Sequence, residues 1–198
     1  VTGVQTCALP ILALVLRHAP EKFDVDMDIN GWIDTRELAD SISKSRRHLH
    51  WLRAWHFEAI ANADEKGRWQ VDNEMIRATY GHSIEIELDL PTDDIPDALY
   101  WPCEQGEVES LLQFGILSGS RKHIHLSRTI ANALEAGRVR IDRPAILEVD
   151  TIRAIAEGHT IFRAGTTVFL TEEVPPSALF QVDADDPTVM EDRKSTRL

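Results

Sequence analysis

Four short segments bring together side chains able to hold or transform an anion. Arg17-His18 closes an apolar run, LALVLRH. A guanidinium grips a phosphate or carboxylate through two parallel bonds, and an imidazole can move a proton near neutral pH. The same pair also suits the plain role of cations complementing a helix C-terminus. Arg77-Ala78-Thr79-Tyr80-Gly81-His82-Ser83 groups Arg, His and Ser around a glycine, which lets backbone approach a ligand closely. Its simpler reading is a turn before a strand, with a solvated arginine. His123-Ile124-His125-Leu126-Ser127 alternates, so as a strand it sets His123, His125 and Ser127 on one face. Arg138-Val139-Arg140, with Arg143 close by, reads as a basic turn between a helix and a strand.

Several familiar chemistries have no signature here. There is no Walker A loop, no GxGxxG and no Ser–His–Asp pattern. Two histidines at i and i+2 could bind a metal, but no HExxH accompanies them and the only cysteines are Cys7 and Cys103. No metal is expected. A nucleotide-binding face suits the His-Ser strand better.

Composition sets the frame. With 198 residues, 43% hydrophobic and 27% charged, the chain has room for one large domain or two small lobes. No apolar run reaches the ~20 residues that span a bilayer. The net charge is −12, from 21 Lys+Arg against 33 Asp+Glu. That argues against broad coating of a nucleic acid and for a local basic pocket. Scarce cysteine and the lack of a signal-peptide pattern lead to the expectation of a cytoplasmic protein.

The elements that must position these residues are readable in outline. Leu12–His18 is expected to be a short helix stopped by Pro20. Asp34 is a candidate N-cap with Glu37 three residues on, opening a helix through Ile42. Trp51–Ile60 has helical spacing. A charged turn, Asp64–Gly67, leads into a hairpin; Met75–Tyr80 is expected as short helix or turn, and Ser83–Leu88 as a half-buried strand. Three helices and then a hairpin is the order of a winged helix. Pro91–Asp97 is the clearest linker, with two prolines and three aspartates. Beyond it come strands at Ala98–Trp101, His123–Ser127, Ala145–Val149 and Thr167–Thr171. Helices are expected at Val108–Phe114, Thr129–Ala136 with Gly137 as its cap, and Ile152–Ala156. The fold class is α+β. The ends fit no pattern: Val1–Ile11 and Asp192–Leu198 resemble translated sequencing-adapter read-through. The expected division is a non-native end at 1–11, lobes at 12–90 and 98–183 around a 91–97 linker, and a disordered or non-native tail at 184–198.

In order, LRHAP, DEKGRWQV with IRATYGHSI, HIHLS and VFLTEEVPP resemble the NAD-dependent RNA (tRNA) 2′-phosphotransferase family, from about Leu12 to Val182. Asn30-Gly31-Trp32 and Glu37-Leu38 fit the same resemblance. It implies an N-terminal winged-helix, RNA-binding lobe and a C-terminal ADP-ribosyltransferase-like lobe of antiparallel sheets. It implies removal of an internal 2′-phosphate from RNA, as in tRNA splicing. The phosphate attacks C1″ of NAD and expels nicotinamide. The ribose 2″-hydroxyl then attacks that phosphate, leaving 2′-hydroxyl RNA and ADP-ribose 1″,2″-cyclic phosphate. The family's essential set maps onto Arg17, His18 and Arg77. For the last arginine, counting back from Pro144 selects Arg140, with Arg138 as the substitute. Tyr100, Arg121, His123, His125 and Ser127 map onto the NAD-binding set. The implied partners are 2′-phosphorylated RNA and NAD, with no membrane and no metal, and the protein is expected to be a monomer.

The resemblance has one main departure. Where the family shows Tyr-His-Gly-Thr, this chain has Tyr100-Trp101-Pro102-Cys103. Two alternatives therefore stand beside an active enzyme. One is a catalytically weak RNA- or nucleotide-binding relative with an impaired NAD site. The other is an ADP-ribosyltransferase acting on another phosphate acceptor.

Overall fold

The computed structural model describes residues 2–119, 122–183 and 185–190, with side chains from Ala8 onward. It is a mixture of helices and antiparallel sheets, an α+β chain, and it divides into two compact units. The first runs to Leu90 and takes back Ala164–Thr166; the second holds Pro91–Arg163 and the residues from Thr167 on.

The first unit opens with α1 (Thr2–Arg17). This corrects the expected start at Leu12. Ala8, Ile11, Leu12, Val15 and Leu16 recur at helical spacing and are all buried in the unit's core. That burial holds the helix together across Pro10, which sits on its exposed side and lacks an N–H to donate. Then come β1 (Ile33–Asp34), α2 (Thr35–Ser45), α3 (Ala54–Asn62), β2 (Trp69–Asp72) and β3 (Met75–Ala78), the strands in the order β1-β3-β2. Asp34 caps α2 as expected, its Oδ1 accepting the N–H groups of Arg36 at 2.8 Å and Glu37 at 2.9 Å. Glu37 turns away from it and accepts the Asp26 N–H at 2.7 Å. Leu38, Ile42, Phe57 and Ile76 fill the core against α1.

Two expectations in this unit fail for physical reasons. Met75–Ala78 is a strand, because Asn73 and Glu74 both adopt positive φ and close a two-residue hairpin turn. Ser83–Leu88 forms no ladder. Its alternation does track burial, with Ile86 buried and Glu85 and Glu87 exposed. However, its backbone donors go singly to other segments, Ser83 N–H to Arg17 O at 2.8 Å and Glu87 N–H to Ile29 O at 2.7 Å.

The second unit comprises β4 (Ala98–Cys103), α4 (Val108–Phe114), β5 (Ile116–Leu117), β6 (Ile124–Ser127), α5 (Ile130–Gly137), β7 (Ala145–Asp150), α6 (Thr151–Ala156), β8 (Phe162–Arg163), β9 (Val168–Thr171), β10 (Glu173–Val174) and β11 (Leu179–Gln181). Six strands form one antiparallel sheet, β11-β7-β4-β6-β9-β8, and β5 pairs β10. Leu99, Leu126, Leu147, Val149 and Phe169 alternate onto one sheet face and form its core. Tyr100 and Ile146 face the other side, where Ala133 and Leu134 of α5 pack.

Gly137 lies inside α5 rather than capping it. A Cβ there would stand 2.7 Å from Pro102 Cβ and 3.1 Å from Pro144 Cβ, so the glycine is a packing requirement. Segment 91–97, read as a linker, is fastened to the second unit. Pro91 O accepts the Arg163 N–H at 2.7 Å, and Asp93 Oδ1 accepts from Arg163 Nη2 at 2.9 Å. Past the expected tail boundary, Val189 is buried and the Met190 N–H donates to Asp186 O at 2.9 Å. Among the described residues no helix is long and apolar enough to cross a membrane.

Candidate active site

In the first unit, α1 delivers its last side chain, Arg17, beside the glycine of the Gly81-His82-Ser83 segment. The helix end is wrapped by the His18 and Ala19 N–H groups, both donating to Leu14 O. Arg17 O accepts from Ser83 N, which pins that segment to the helix end. His18 Nδ1 and Ser83 Oγ then lie 2.9 Å apart. Gly81 has φ +84°, and a Cβ there would come within 3.4 Å of Arg17 Cζ. The backbone at Gly81, expected to lie close to a ligand, here packs against the guanidinium.

The guanidinium is walled by rings. Arg17 Cζ stands 4.8 Å from the Trp69 ring centroid and 5.1 Å from that of Tyr80. Its Nε and Nη2 are buried with no hydrogen-bond partner among the described residues. Burial pushes the Arg17 pKa down, with the Tyr80 phenol and the Asp64 carboxylate opposing. Asp64 is already engaged, accepting from Arg68 Nε at 2.9 Å and Nη2 at 2.6 Å. The Tyr80 phenol is itself pushed up by burial, against the pull of Arg17 and Arg68. A buried cation with two uncommitted donors has the chemistry to hold an anion with two oxygens to offer.

Arg77 is arranged differently. It is 5% exposed, and its donors are committed. Nε and Nη2 donate to Gln70 Oε1 at 2.9 and 2.8 Å, Nη1 donates to Asp89 Oδ1, and Cζ lies 4.3 Å from the Trp32 ring centroid. Trp69 and Gln70 are consecutive residues of β2, so they point to opposite faces of the hairpin. Arg17 thus meets one face and Arg77 the other. The structure joins Arg17, His18 and Ser83 directly, and places Arg77 with Gln70, Asp89 and Trp32 instead.

In the second unit, Tyr100 stands opposite Ser127 on β6 and Glu148 on β7. Tyr100, His125 and Ser127 share one sheet face. Burial pushes the Tyr100 pKa up, and so do the charge and hydrogen bond of Glu148. Tyr100 also lines a cleft of about 520 Å³ with Glu148, Phe180, Asp183 and Asp186. His123 falls just before β6, its Nε2 3.9 Å from Glu172 Oε1, and burial pushes its pKa down against that carboxylate. Arg121 lies outside the described residues. Arg138 and Arg140 are both exposed on the turn after α5, around Val139 at 82% exposure. Among the described residues no group of three or more His, Cys, Asp or Glu is placed to hold a metal ion.

Trp69, Asp64 and Arg68 were not singled out from sequence, although they wall the Arg17 site. The i, i+4 spacing of Asp64 and Arg68 was the available signal.

The profile of the RNA 2′-phosphotransferase family, of Tpt1/KptA type, matches residues 10–173. The chain belongs to this family. Among its relatives is a probable RNA 2′-phosphotransferase of Thermoplasma acidophilum, 34% identical over 184 residues, covering 92% of this chain and 78% of that protein. A probable RNA 2′-phosphotransferase 1 of Archaeoglobus fulgidus is 36% identical over 161 residues, covering 81% and 73%. A probable RNA 2′-phosphotransferase of Fusobacterium nucleatum is 36% identical over 166 residues, covering 83% and 91%. The match extends over both units, so the Arg17 cluster and the Tyr100–Ser127 face both fall within the matched region.

Proposed function

We propose that this chain is an NAD-dependent RNA 2′-phosphotransferase. The observation that carries the reading is the Arg17 cluster: two buried, uncommitted guanidinium donors beside His18 and Ser83, in a chain of this family. A 2′-phosphate is a dianion with oxygens for both donors. Arg17 holds and orients it, and the rings of Trp69 and Tyr80 keep the guanidinium dry, where a charge-assisted bond is strongest. His18 contacts the phosphate or the attacking hydroxyl, with Ser83 fixing its ring. Arg140 is assigned as the further phosphate-binding arginine, with Arg138 as its substitute. Arg77 is assigned with them to the phosphate-binding set, and its bonds to Gln70 and Asp89 also hold the hairpin that carries Trp69.

The order α1, α2, α3, hairpin in the first unit supports a winged-helix lobe, and the six-stranded antiparallel sheet supports an ADP-ribosyltransferase-like lobe. The phenol of Tyr100, the imidazole of His125 and the hydroxyl of Ser127 on one face suit the ribose of a dinucleotide. The carboxylates of the cleft beside Tyr100 do not suit a diphosphate, so that part of NAD is assigned to the His123 side of the sheet. When bound, NAD supplies the electrophilic ribose carbon that accepts the phosphate.

The deciding experiment incubates purified protein with a 2′-phosphorylated RNA oligonucleotide, with and without NAD. Release of the phosphate only with NAD, together with ADP-ribose cyclic phosphate, is the expected result. One observation favours a weaker relative: Trp101 and Pro102 replace the family's His and Gly on β4. RNA binding without NAD-dependent release would select that reading. NAD turnover without 2′-phosphate release would select transfer to another acceptor.

A further inference from the structure

The chain is acidic overall, yet residues 41–57 contain no Asp or Glu. The stretch joins α2 to the first turns of α3 and carries Lys44, Arg46, Arg47, His48, His50 and Arg53, all exposed. Among the described residues none of Lys44, Arg46, Arg47 and Arg53 is in an ion pair with a carboxylate. Arg53 is set by its own backbone, with Nη1 donating to His50 O at 2.6 Å and Leu52 O at 2.7 Å.

An aromatic platform stands in the same stretch. Trp55 is 63% exposed in the first turn of α3, an unusual place to leave an indole in water. One of its faces lies on the His56 ring, with centroids 3.5 Å apart and planes at 26°. His56 is buried, its Nδ1 accepts the Arg53 N–H at 3.0 Å, and Trp51 meets it edge-on at 5.1 Å. Trp55 is thus held flat with its other face open. A rigid indole amid exposed cations that no carboxylate neutralises matches the pairing of stacking surface and basic track that single-stranded nucleic acids meet on proteins.

We propose that residues 44–55 form a second RNA-contacting surface, on which an unpaired base stacks on Trp55 and Arg46, Arg47 and Arg53 hold the neighbouring phosphates. This rests on the proposed action on RNA and adds a docking site apart from the Arg17 pocket. It predicts that affinity for RNA survives without any 2′-phosphate.

The test uses the full chain and a fluorescently labelled 12-nucleotide single-stranded RNA lacking a 2′-phosphate, read by anisotropy across a salt series. Trp55→Ala should weaken binding roughly 5- to 10-fold, the loss of one base stack. Arg46→Glu with Arg47→Glu should flatten the dependence of log K on log salt by about 1.4, two phosphates' worth on a single strand. Both variants should keep the parent melting temperature; if Trp55→Ala does not, Trp55→Phe and the double variant still decide. RNA affinity and salt slope unchanged in both variants would overturn the proposal. So would selective, Arg46/Arg47-dependent binding to phosphatidylserine vesicles with no binding to RNA. Activity on a 2′-phosphorylated dinucleotide separates the two readings. Its absence alongside variant-sensitive RNA binding defeats the catalytic reading and leaves this surface standing.

Discussion

Gln70 and Arg77 face one another across the β2–β3 hairpin, and the single Gln70 Oε1 accepts both Arg77 Nε and Nη2. Arg77, expected from sequence to meet substrate, also braces the hairpin, with Asp89 on its remaining arm. Arg77→Ala leaves the Gln70 oxygen without its two donors. The expected cost is about 2 kcal/mol of stability, or roughly 5 °C for a chain of this size. Thermal melting followed by circular dichroism checks it; an unmoved midpoint would show that the network is not structural.

Arg17 should behave in the opposite way. Arg17→Lys keeps one positive charge and gives up the planar fork. The melting temperature should hardly move, because Nε and Nη2 bond to nothing that holds the fold. Release of phosphate from a 2′-phosphorylated oligonucleotide should fall about a hundredfold, the usual effect of losing one aimed donor. A large drop in stability with near-normal turnover per folded molecule would reverse the assignment of roles between Arg17 and Arg77.

Cys103 closes β4 and is buried, and that burial, with Glu107 nearby, pushes its thiol up to about 11. In a Cys7→Ser variant it is the lone thiol, and at pH 8 only about one molecule in a thousand carries the thiolate. Iodoacetamide should leave the native protein unmodified over hours and label it at once in urea. The pH dependence follows with a definite sign. An unfolded cysteine loses its proton near 8.5 and the folded one near 11, so the unfolded state gains as pH rises through that window. Stability should fall from about pH 8.5 to 11, and Cys103→Ala should fall less over the same range.

Gly137 tests the packing of α5 on the sheet. A methyl at this position must displace Pro102 or Pro144. Gly137→Ala, which in an open helix would be mildly stabilising, should here cost about 1–3 kcal/mol by overpacking. Urea denaturation of the two proteins gives the difference directly. Recovery of stability in a Gly137→Ala, Pro102→Gly double variant would trace the cost to that contact.

Much of this architecture was legible in the residues. Asp34 as a cap, the α4 helix ending before Gly115, and the strands around Leu99, Leu126 and Leu147 follow from local chemistry and hydrophobic period. The failures share a cause: partners distant in sequence decided them. Ser83–Leu88 has a strand's alternation but no neighbouring strand to complete a ladder. Pro10 and the odd composition around it concealed that α1 continues, because only the burial of Ala8 and Ile11 in the tertiary core favours it. The site shows the same limit. The Arg17-His18 pair and the glycine of Gly81-His82-Ser83 could be picked out as chemistry. That Arg17 would lie among Trp69, Tyr80 and the engaged Asp64, and that Arg77 would be consumed by Gln70 and Asp89, required three-dimensional proximity.

The return of Ala164–Thr166 to the first unit carries a consequence for the gene as well as the protein. Gly165 lies against that unit's Lys66 and Tyr80 so closely that a Cβ would come within 2.7 Å of Lys66 O and 2.9 Å of Tyr80 Cε1. A gene cut after codon 90 would yield an N-terminal fragment lacking this patch, with Tyr80, one wall of the Arg17 pocket, newly bare. The lobes are therefore not interchangeable modules to be shuffled by a single recombination. The second unit's sequence is interrupted by three residues that belong to the first, so no single cut in the gene separates the two cleanly.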